Sequence, residues 1–299
     1  MRVFVTGATG FIGSAVVKEL IGAGHEVLGL TRSEKGAEAL IAAGAEVKQG
    51  TLEDLESLKS GAAACDGVLH LAFIHDFSKF LENCETDRRA IRAMGSVLEG
   101  TNKPLIVTSG TGMGAYAPGE VASEDNVATS KTTHHPRVAS EEAAAEVAAK
   151  GVNASIMRLP PSVHDKGDHG FIHILINTAR EKGKSAYIGD GANRWPAVHR
   201  LDAAHLYRLA LEKGVSATYN GVGDTGIPTR EIAEVIGKHL NLPVVSLTPE
   251  EAGAHFGWFG AFFGADIPAS AKLTEERTGW KPTHQGLIAD LDEGHYFER

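Results

Sequence analysis

Cysteine is scarce: the chain of 299 residues has two, Cys65 and Cys84. Two thiols cannot build a disulfide framework or a cysteine-rich metal site, and they fit a reducing compartment. No run of lysine and arginine occurs and the formal net charge is -9, so the basic footprint of a nucleic-acid binder is missing. No apolar stretch is long enough to span a bilayer. The chain opens directly into a strand, so that no leader is expected, and a cytoplasmic protein without membrane attachment is the expectation. What remains is ordinary for a folded domain: 42% hydrophobic and 22% charged residues. The 35 glycines suit an α/β protein with many short turns, and the length allows one compound domain or two lobes.

The most informative stretch runs from Met1 to Ser14. Arg2 to Thr6 reads as a short apolar strand and Phe11 to about Gly22 as a helix, with Gly7, Gly10 and Gly13 between them in a Gly-x-x-Gly-x-x-Gly pattern. One glycine turns the chain sharply, one lets backbone approach a pyrophosphate, and one lets the helix pack closely on the strand. The helix N-terminus then offers free N–H groups and the positive end of its dipole to phosphate. Strand, turn and helix together are the context in which this pattern marks a dinucleotide site.

The alternation continues down the chain. A second strand, Glu26 to Leu30, ends at Thr31, Arg32 and Ser33, where an NAD-selective protein places Asp or Glu against the ribose 2′-hydroxyl. Arg32 instead suits the 2′-phosphate of NADP, although Glu34 is close and a solvated loop charge is the alternative. Glu46 to Gln49 forms a third strand, and the following Glu53-Asp54 either faces the adenine edge or caps the next helix. A fourth strand, Gly67 to Leu71, runs into Ala72; a polar crossover helix occupies Asp76 to Gly100; a fifth strand, Pro104 to Thr108, leads into Ser109-Gly110-Thr111. This order implies an α/β fold with a doubly wound parallel Rossmann sheet and its ligand at the carboxyl ends of the strands.

On these residues the chain resembles an extended or atypical short-chain dehydrogenase/reductase of the NAD-dependent epimerase/dehydratase type. Thr6-Gly7-Ala8-Thr9-Gly10-Phe11-Ile12-Gly13, His70-Leu71-Ala72 and Val107-Thr108-Ser109-Gly110-Thr111 carry the likeness. Arg158-Leu159-Pro160-Pro161, Val198-His199-Arg200-Leu201-Asp202-Ala203-Ala204 and Thr278-Gly279-Trp280-Lys281-Pro282 support it, so that it covers nearly the whole chain. The resemblance implies a dinucleotide domain over 1–160, to which 197–222 returns. It also implies a smaller C-terminal α/β substrate lobe from 161–196 and 223–299, and a homodimer. Cofactor contacts are expected from Gly7, Thr9, Gly10, Phe11, Ile12, Gly13, Arg32, Leu71, Ala72, Ser109 and Pro160.

The family's chemistry rests on a Tyr-x-x-x-Lys pair opening the helix before strand six, and this chain lacks it. Four positions after Tyr116, Tyr187, Tyr207 and Tyr219 stand Glu120, Gly191, Leu211 and Gly223, and Tyr296 is too near the end. In the stretch Pro136-Arg137-Val138-Ala139-Ser140-Glu141, setting Ser140 on the family's serine puts Arg137 at the tyrosine position and Glu141 at the lysine position. Losing a general acid typically costs ~10²–10⁴ in rate. Three replacements are open: Thr111, aligned with the family's Ser/Thr that polarises the substrate carbonyl; His135 or His134 as proton donor; and Arg137 stabilising an oxyanion. The bland alternatives are a turn cap, solvated rings and an i,i+4 pair between Arg137 and Glu141.

Past Pro161 the alternation breaks. Ser162 to Gly170 reads as a flexible loop carrying His164 and His169 without metal-ligand spacing, so no metal is expected. Phe171 to Gly183 reads as a helix, Ser185 to Ile188 as a strand, Leu201 to Lys213 as a helix packed on the first lobe, and Gly286 to Phe297 as a closing helix. Arg194 and Trp195 are candidates for the substrate cleft, although a tryptophan is more often core than ligand. Residues 255–263 hold five of the nineteen aromatic side chains and read as core, lid or subunit contact. The expected function is an NADP-preferring oxidoreductase acting on a carbonyl or alcohol of a small, partly apolar molecule, with NAD open as cofactor. A non-catalytic NAD(P) sensor is the rival, and a nucleotide-sugar epimerase or dehydratase the third reading.

Overall fold

The computed structural model describes residues 1–114 and 119–298. Its first half alternates as the sequence predicts: β1 (Arg2–Thr6), α1 (Phe11–Gly22), β2 (Glu26–Thr31), α2 (Glu34–Ala42), β3 (Glu46–Gln49), α3 (Leu55–Ala63), β4 (Gly67–His70), α4 (Phe80–Ser96), β5 (Pro104–Gly110), α5 (Val138–Ala148) and β6 (Asn153–Leu159). There follow β7 (Ser162–His164), α6 (Phe171–Lys182), β8 (Ser185–Ile188), β9 (Arg194–His199), α7 (Arg200–Lys213) and β10 (Thr218–Asn220). The chain closes with β11 (Asp224–Pro228), α8 (Thr229–Leu240), β12 (Val244–Leu247), α9 (Pro249–Phe256), α10 (Phe259–Phe263), α11 (Lys272–Thr278) and α12 (Leu287–Asp292).

Seven strands form one parallel sheet in the order β10-β6-β5-β4-β1-β2-β3. Its central strands are apolar along their length, as strands covered by helices on both faces must be; Val3, Phe4 and Val5 are wholly buried. The order reverses between β1 and β4, and this switch point opens the crevice where a ligand sits in such sheets. Local chemistry sets the helix starts. Ser33 accepts from the Gly36 N–H at the head of α2 (3.1 Å), and Asp54 accepts from the Ser57 N–H at the head of α3 (3.0 Å). Asp54 of the Glu53-Asp54 pair is therefore a helix cap.

The C-terminal half adds a three-stranded sheet, β11-β9-β7, and a parallel pair, β12-β8. Two sequence expectations change here. Ser162 to His164 is a strand rather than the start of a loop, paired with β9 through Ser162–Ala197 and His164–His199. Three residues are too few to show an alternating pattern. The closing helix spans only Leu287–Asp292, because Gly294 turns the chain with φ +88°. Cys65 and Cys84 are free and buried, and burial pushes the Cys84 thiol up to about 11. Among the described residues no helix is long and apolar enough to cross a membrane.

Helix α12 is tied to β7 by a buried carboxylate. Asp290 accepts from His164 Nδ1 and His295 Nε2, each at 2.9 Å. Burial pushes its carboxyl up, and the hydrogen bonds from His164 and His295 more than offset this, leaving it at about 2. A carboxylate held below its unfolded value stabilises the fold above that value and loses the contribution as pH falls through the folded one. Asp290→Asn is therefore expected to flatten the acid limb of a stability profile. Chemical denaturation should show wild type losing ~2 kcal/mol more than the variant between about pH 4 and pH 2.

Candidate active site

The turn between β1 and α1 is built by contact, not by flexibility. Gly7 has φ +67°, and a Cβ there would lie 2.8 Å from the Ala72 nitrogen at the end of β4. A Cβ on Gly13 would lie 2.0 Å from the Gly7 carbonyl oxygen. Only hydrogen fits at either position, and the close approach seats α1 on the strand ends. No side chain caps α1, in contrast to α2 and α3, so its first-turn N–H groups remain free for an anion. Thr9 and Gly10 are exposed at the lip of the turn, and Phe11 and Ile12 are half-buried. Arg200 stacks over the Phe11 ring at 4.6 Å. Arg32 is exposed at the end of β2 beyond the buried Thr31, Leu71 and Ala72 are half-buried past β4, and Pro160 is buried past β6. A dinucleotide laid across these carboxyl ends would meet free amides at its phosphates and small or apolar surface elsewhere.

Behind this turn lies a buried polar network that the sequence did not disclose. Thr6 Oγ1 donates to His70 Nδ1 at 2.7 Å and accepts the Ala72 N–H at 3.2 Å. His70 Nε2 donates to Asp87 Oδ1 at 3.0 Å. The other Asp87 oxygen accepts from Ser140 Oγ and, at 2.8 Å, from Arg137 Nη1. Asp87 is 1% exposed. Burial alone would push its carboxyl up; the Arg137 charge and the hydrogen bonds from His70 and Ser140 outweigh it, and the group sits below the usual carboxylate range. One sign was present in the sequence. Asp87 shares a helix face with Cys84, Ile91 and Met94, and a lone charge on an apolar stripe needs a partner inside the protein.

Arg137 completes the arrangement, and it is not the i,i+4 partner of Glu141. Its Nη1 binds Asp87 and also Ser140, its Nη2 donates to the Thr108 carbonyl at 2.8 Å, and its face covers the Phe73 ring at 4.1 Å. Glu141 turns the other way. It accepts from Arg158 Nε and Nη2 at 2.8 and 2.7 Å and from Ser109 Oγ at 2.8 Å, with both charged side chains almost fully buried. The two positions that would carry the tyrosine and lysine thus hold two separate ion pairs. The Ser109 hydroxyl, expected at the cofactor, is directed to Glu141.

Thr111 follows β5 and is 1% exposed, and among the described residues its hydroxyl has no hydrogen-bond partner. A buried unpaired hydroxyl is costly unless something meets it. His135 is half-buried, edge-on to Phe80 at 5.6 Å. Its Nδ1 accepts the Arg137 N–H at 3.3 Å, which leaves the proton on Nε2. Burial and the Arg137 charge hold it below its ordinary value. His75, at the rim, is lowered in the same way by its crowded setting and by Arg137. His134 is exposed. Tyr207 approaches β5 from behind, donating to Thr108 Oγ1 at 2.6 Å, and burial raises its phenol; it does not stand in for the missing tyrosine. Tyr116 lies outside the described residues.

The C-terminal lobe contributes differently from expectation. Trp195 is wholly buried, and Arg194 is tied to Asp266 by Nε and Nη2 at 3.0 and 2.9 Å, so core packing and an ion pair occupy the two residues assigned to the cleft. His164 is a buried strand residue bound to Asp290. His199 and His284 stack in parallel beside Asp202, centroids 4.5 Å apart. Their in-plane lone pairs therefore do not converge on one ion. The Asp202 carboxylate is engaged by the Thr283 and His284 N–H groups, both at 3.0 Å.

The family model described as NAD dependent epimerase/dehydratase family matches residues 3–221. The chain belongs to that family. It is 52% identical to uncharacterized protein C2A9.02 of Schizosaccharomyces pombe over 99% of this chain and 100% of the relative. It is 48% identical to uncharacterized protein YLL056C of Saccharomyces cerevisiae, over 97% and 98%. A solved UDP-glucose 4-epimerase from Stenotrophomonas maltophila, with NAD and formylated UDP-arabinopyranose bound, superposes with a TM-score of 0.77. That match covers 99% of this chain and 97% of the other at 18% identity, a likeness of fold. The family's dinucleotide suits the uncapped α1 and the glycine contacts described above.

The exchanged ion pairs make a sharp prediction. Restoring the family lysine as Glu141→Lys places a second cation against the buried Arg158 guanidinium and removes the carboxylate that pairs with it. Loss of ~3–5 kcal/mol is expected in a denaturant melt, whereas Glu141→Gln, which keeps the shape and one acceptor oxygen, should lose less.

Proposed function

We propose that this protein is an NADP-preferring oxidoreductase that reduces the carbonyl of a small, partly apolar molecule. The observation that carries the reading is the buried Thr111 hydroxyl, unpartnered among the described residues, at the carboxyl end of β5. The dinucleotide would supply the hydride. Thr111 Oγ1–H would donate to the carbonyl oxygen as negative charge builds there, a preorganised contact of the oxyanion-hole kind. His135, held neutral by burial and by Arg137, would donate a hydrogen bond from Nε2 to that oxygen, and the alkoxide would take its proton from solvent. Arg137, engaged by Asp87 and Thr108, would position α5 and bias the two histidines without touching substrate. Exposed Arg32 would pair with the 2′-phosphate of the cofactor.

A sensor that binds the dinucleotide without turnover is favoured by one specific observation: Arg137 and Glu141 are both locked into buried pairs, so neither supplies the family's proton chemistry. Steady-state oxidation of NADPH with carbonyl compounds separates the readings. Thr111→Ala should lower kcat by ~10²–10³ while Thr111→Ser retains most of it, and the melting temperature should move little because the lost hydroxyl has no partner. Unchanged turnover in Thr111→Ala would remove the residue from the reaction. Arg32→Ala should raise KM for NADPH by about tenfold or more, the size of one lost phosphate contact, and leave KM for NADH nearly unchanged.

A further inference from the structure

Above the crevice the two lobes meet through aromatic rings. Phe73, Phe77 and Phe80 follow β4, and Phe171 opens α6. Trp258 stands between α9 and α10. Phe77 stacks on Trp258 with centroids 4.9 Å apart, stacks on Phe80 at 5.7 Å and leans on Phe171 at 6.1 Å. Phe73 meets Phe80 edge-on at 5.9 Å and carries Arg137 on its face. The expected aromatic stretch therefore divides by role. Phe256, Phe259 and Phe263 are lobe core, while Trp258 is 60% and Phe77 39% exposed. Large rings left open beside polar groups, here His75 edge-on to Phe73 and Phe77 and His135 edge-on to Phe80, are the usual make-up of a small-molecule wall.

Charge on the bordering elements points the same way. Arg137 is paired with Asp87, Arg158 with Glu141, Arg194 with Asp266 and Arg200 with Asp165, all at 2.7–2.9 Å. Each guanidinium already faces a carboxylate. A substrate diphosphate that called on one of these four guanidinium groups would have to displace its carboxylate and leave it unpaired. An uncharged substrate meets no such obstacle.

We infer that this face is an aromatic-walled slot for an uncharged, planar carbonyl compound, an aryl or conjugated ketone or aldehyde, and not for a nucleotide sugar. The inference rests on the reductase reading above and narrows its substrate class. The ring system enters between Phe77 and Trp258, replacing their mutual stack by two faces of its own, and the carbonyl points down toward Thr111. Quadrupole-matched stacking favours a flat ring over an alkyl chain of equal size.

The test uses the full chain loaded with NADP⁺ and three probes in calorimetric titrations: methyl naphthyl ketone, methyl octyl ketone and UDP-glucose. The aryl ketone should bind about tenfold or more tightly than the alkyl ketone, and UDP-glucose should give no heat beyond dilution. Trp258→Ala and Phe77→Ala should each weaken the aryl ketone by about tenfold, with NADP⁺ affinity and melting temperature kept. The conservative Trp258→Phe should restore most of the loss. Equal binding of the two ketones, tighter binding of UDP-glucose, or indifference to both alanine variants would overturn the slot. NADPH oxidation in the same samples keeps the two claims apart. Selective aryl binding without turnover upholds the slot and sinks the reductase reading. Turnover of alkyl ketones unaffected by Trp258→Ala does the reverse.

Discussion

The buried carboxylate of Asp87 is the constraint on which the site is built. A charge at that depth is tolerable only when hydrogen bonds and a counter-charge surround it. It obtains them from three directions: His70 at the end of β4, Ser140 on α5, and Arg137 at the head of α5. Through His70 the carboxylate fixes Thr6 and hence the strand end under the glycine turn. Through Arg137 it reaches the Thr108 carbonyl, on the strand that presents Thr111. The glycine turn and the strand that carries Thr111 are thus referenced to one buried charge. A shift of Asp87 would be felt at both.

Seen from α5, the head of the helix holds two separate ion pairs, Arg137 with Asp87 and Glu141 with Arg158. This arrangement explains how the chain keeps the family's architecture after losing its catalytic pair. The space of a tyrosine is filled by an arginine whose charge is neutralised on the spot. A lysine's place is taken by a carboxylate that satisfies an arginine from the next strand and the Ser109 hydroxyl. The replacements are mutually consistent and leave no unpaired charge behind, so the fold gives no reason to read the site as decayed. Among the described residues, Thr111, His75 and His135 are polar groups at this end of the sheet that these pairs do not engage.

Much of this was legible in advance, and the part that was not has a common cause. The parallel sheet, the glycine turn and the position of Thr111 follow from patterns a few residues long, where period and turn chemistry act locally. The partners of Arg137 and Arg194 lie 50 and 72 residues away, and no spacing rule connects them. An i,i+4 pair between Arg137 and Glu141 was the natural local guess, and the tertiary fold overrode it. Asp87 could have been flagged as a charge on an apolar helix face, but its partners could not. Strand β7 has three residues and so no legible period, and Gly294 ends the closing helix where the apolar pattern alone would carry it on.

The uneven placement of the three tryptophans has an optical consequence. Trp195 and Trp280 are buried at 0% and 1% exposure, while Trp258 is in contact with solvent and with Phe77 at the mouth of the crevice. Red-shifted emission and quenching by a small solute will therefore come from one indole at the cleft, and blue emission from two indoles in the interior. The chain carries separate internal reporters for the state of its mouth and for the integrity of its core, readable in a single spectrum without a label.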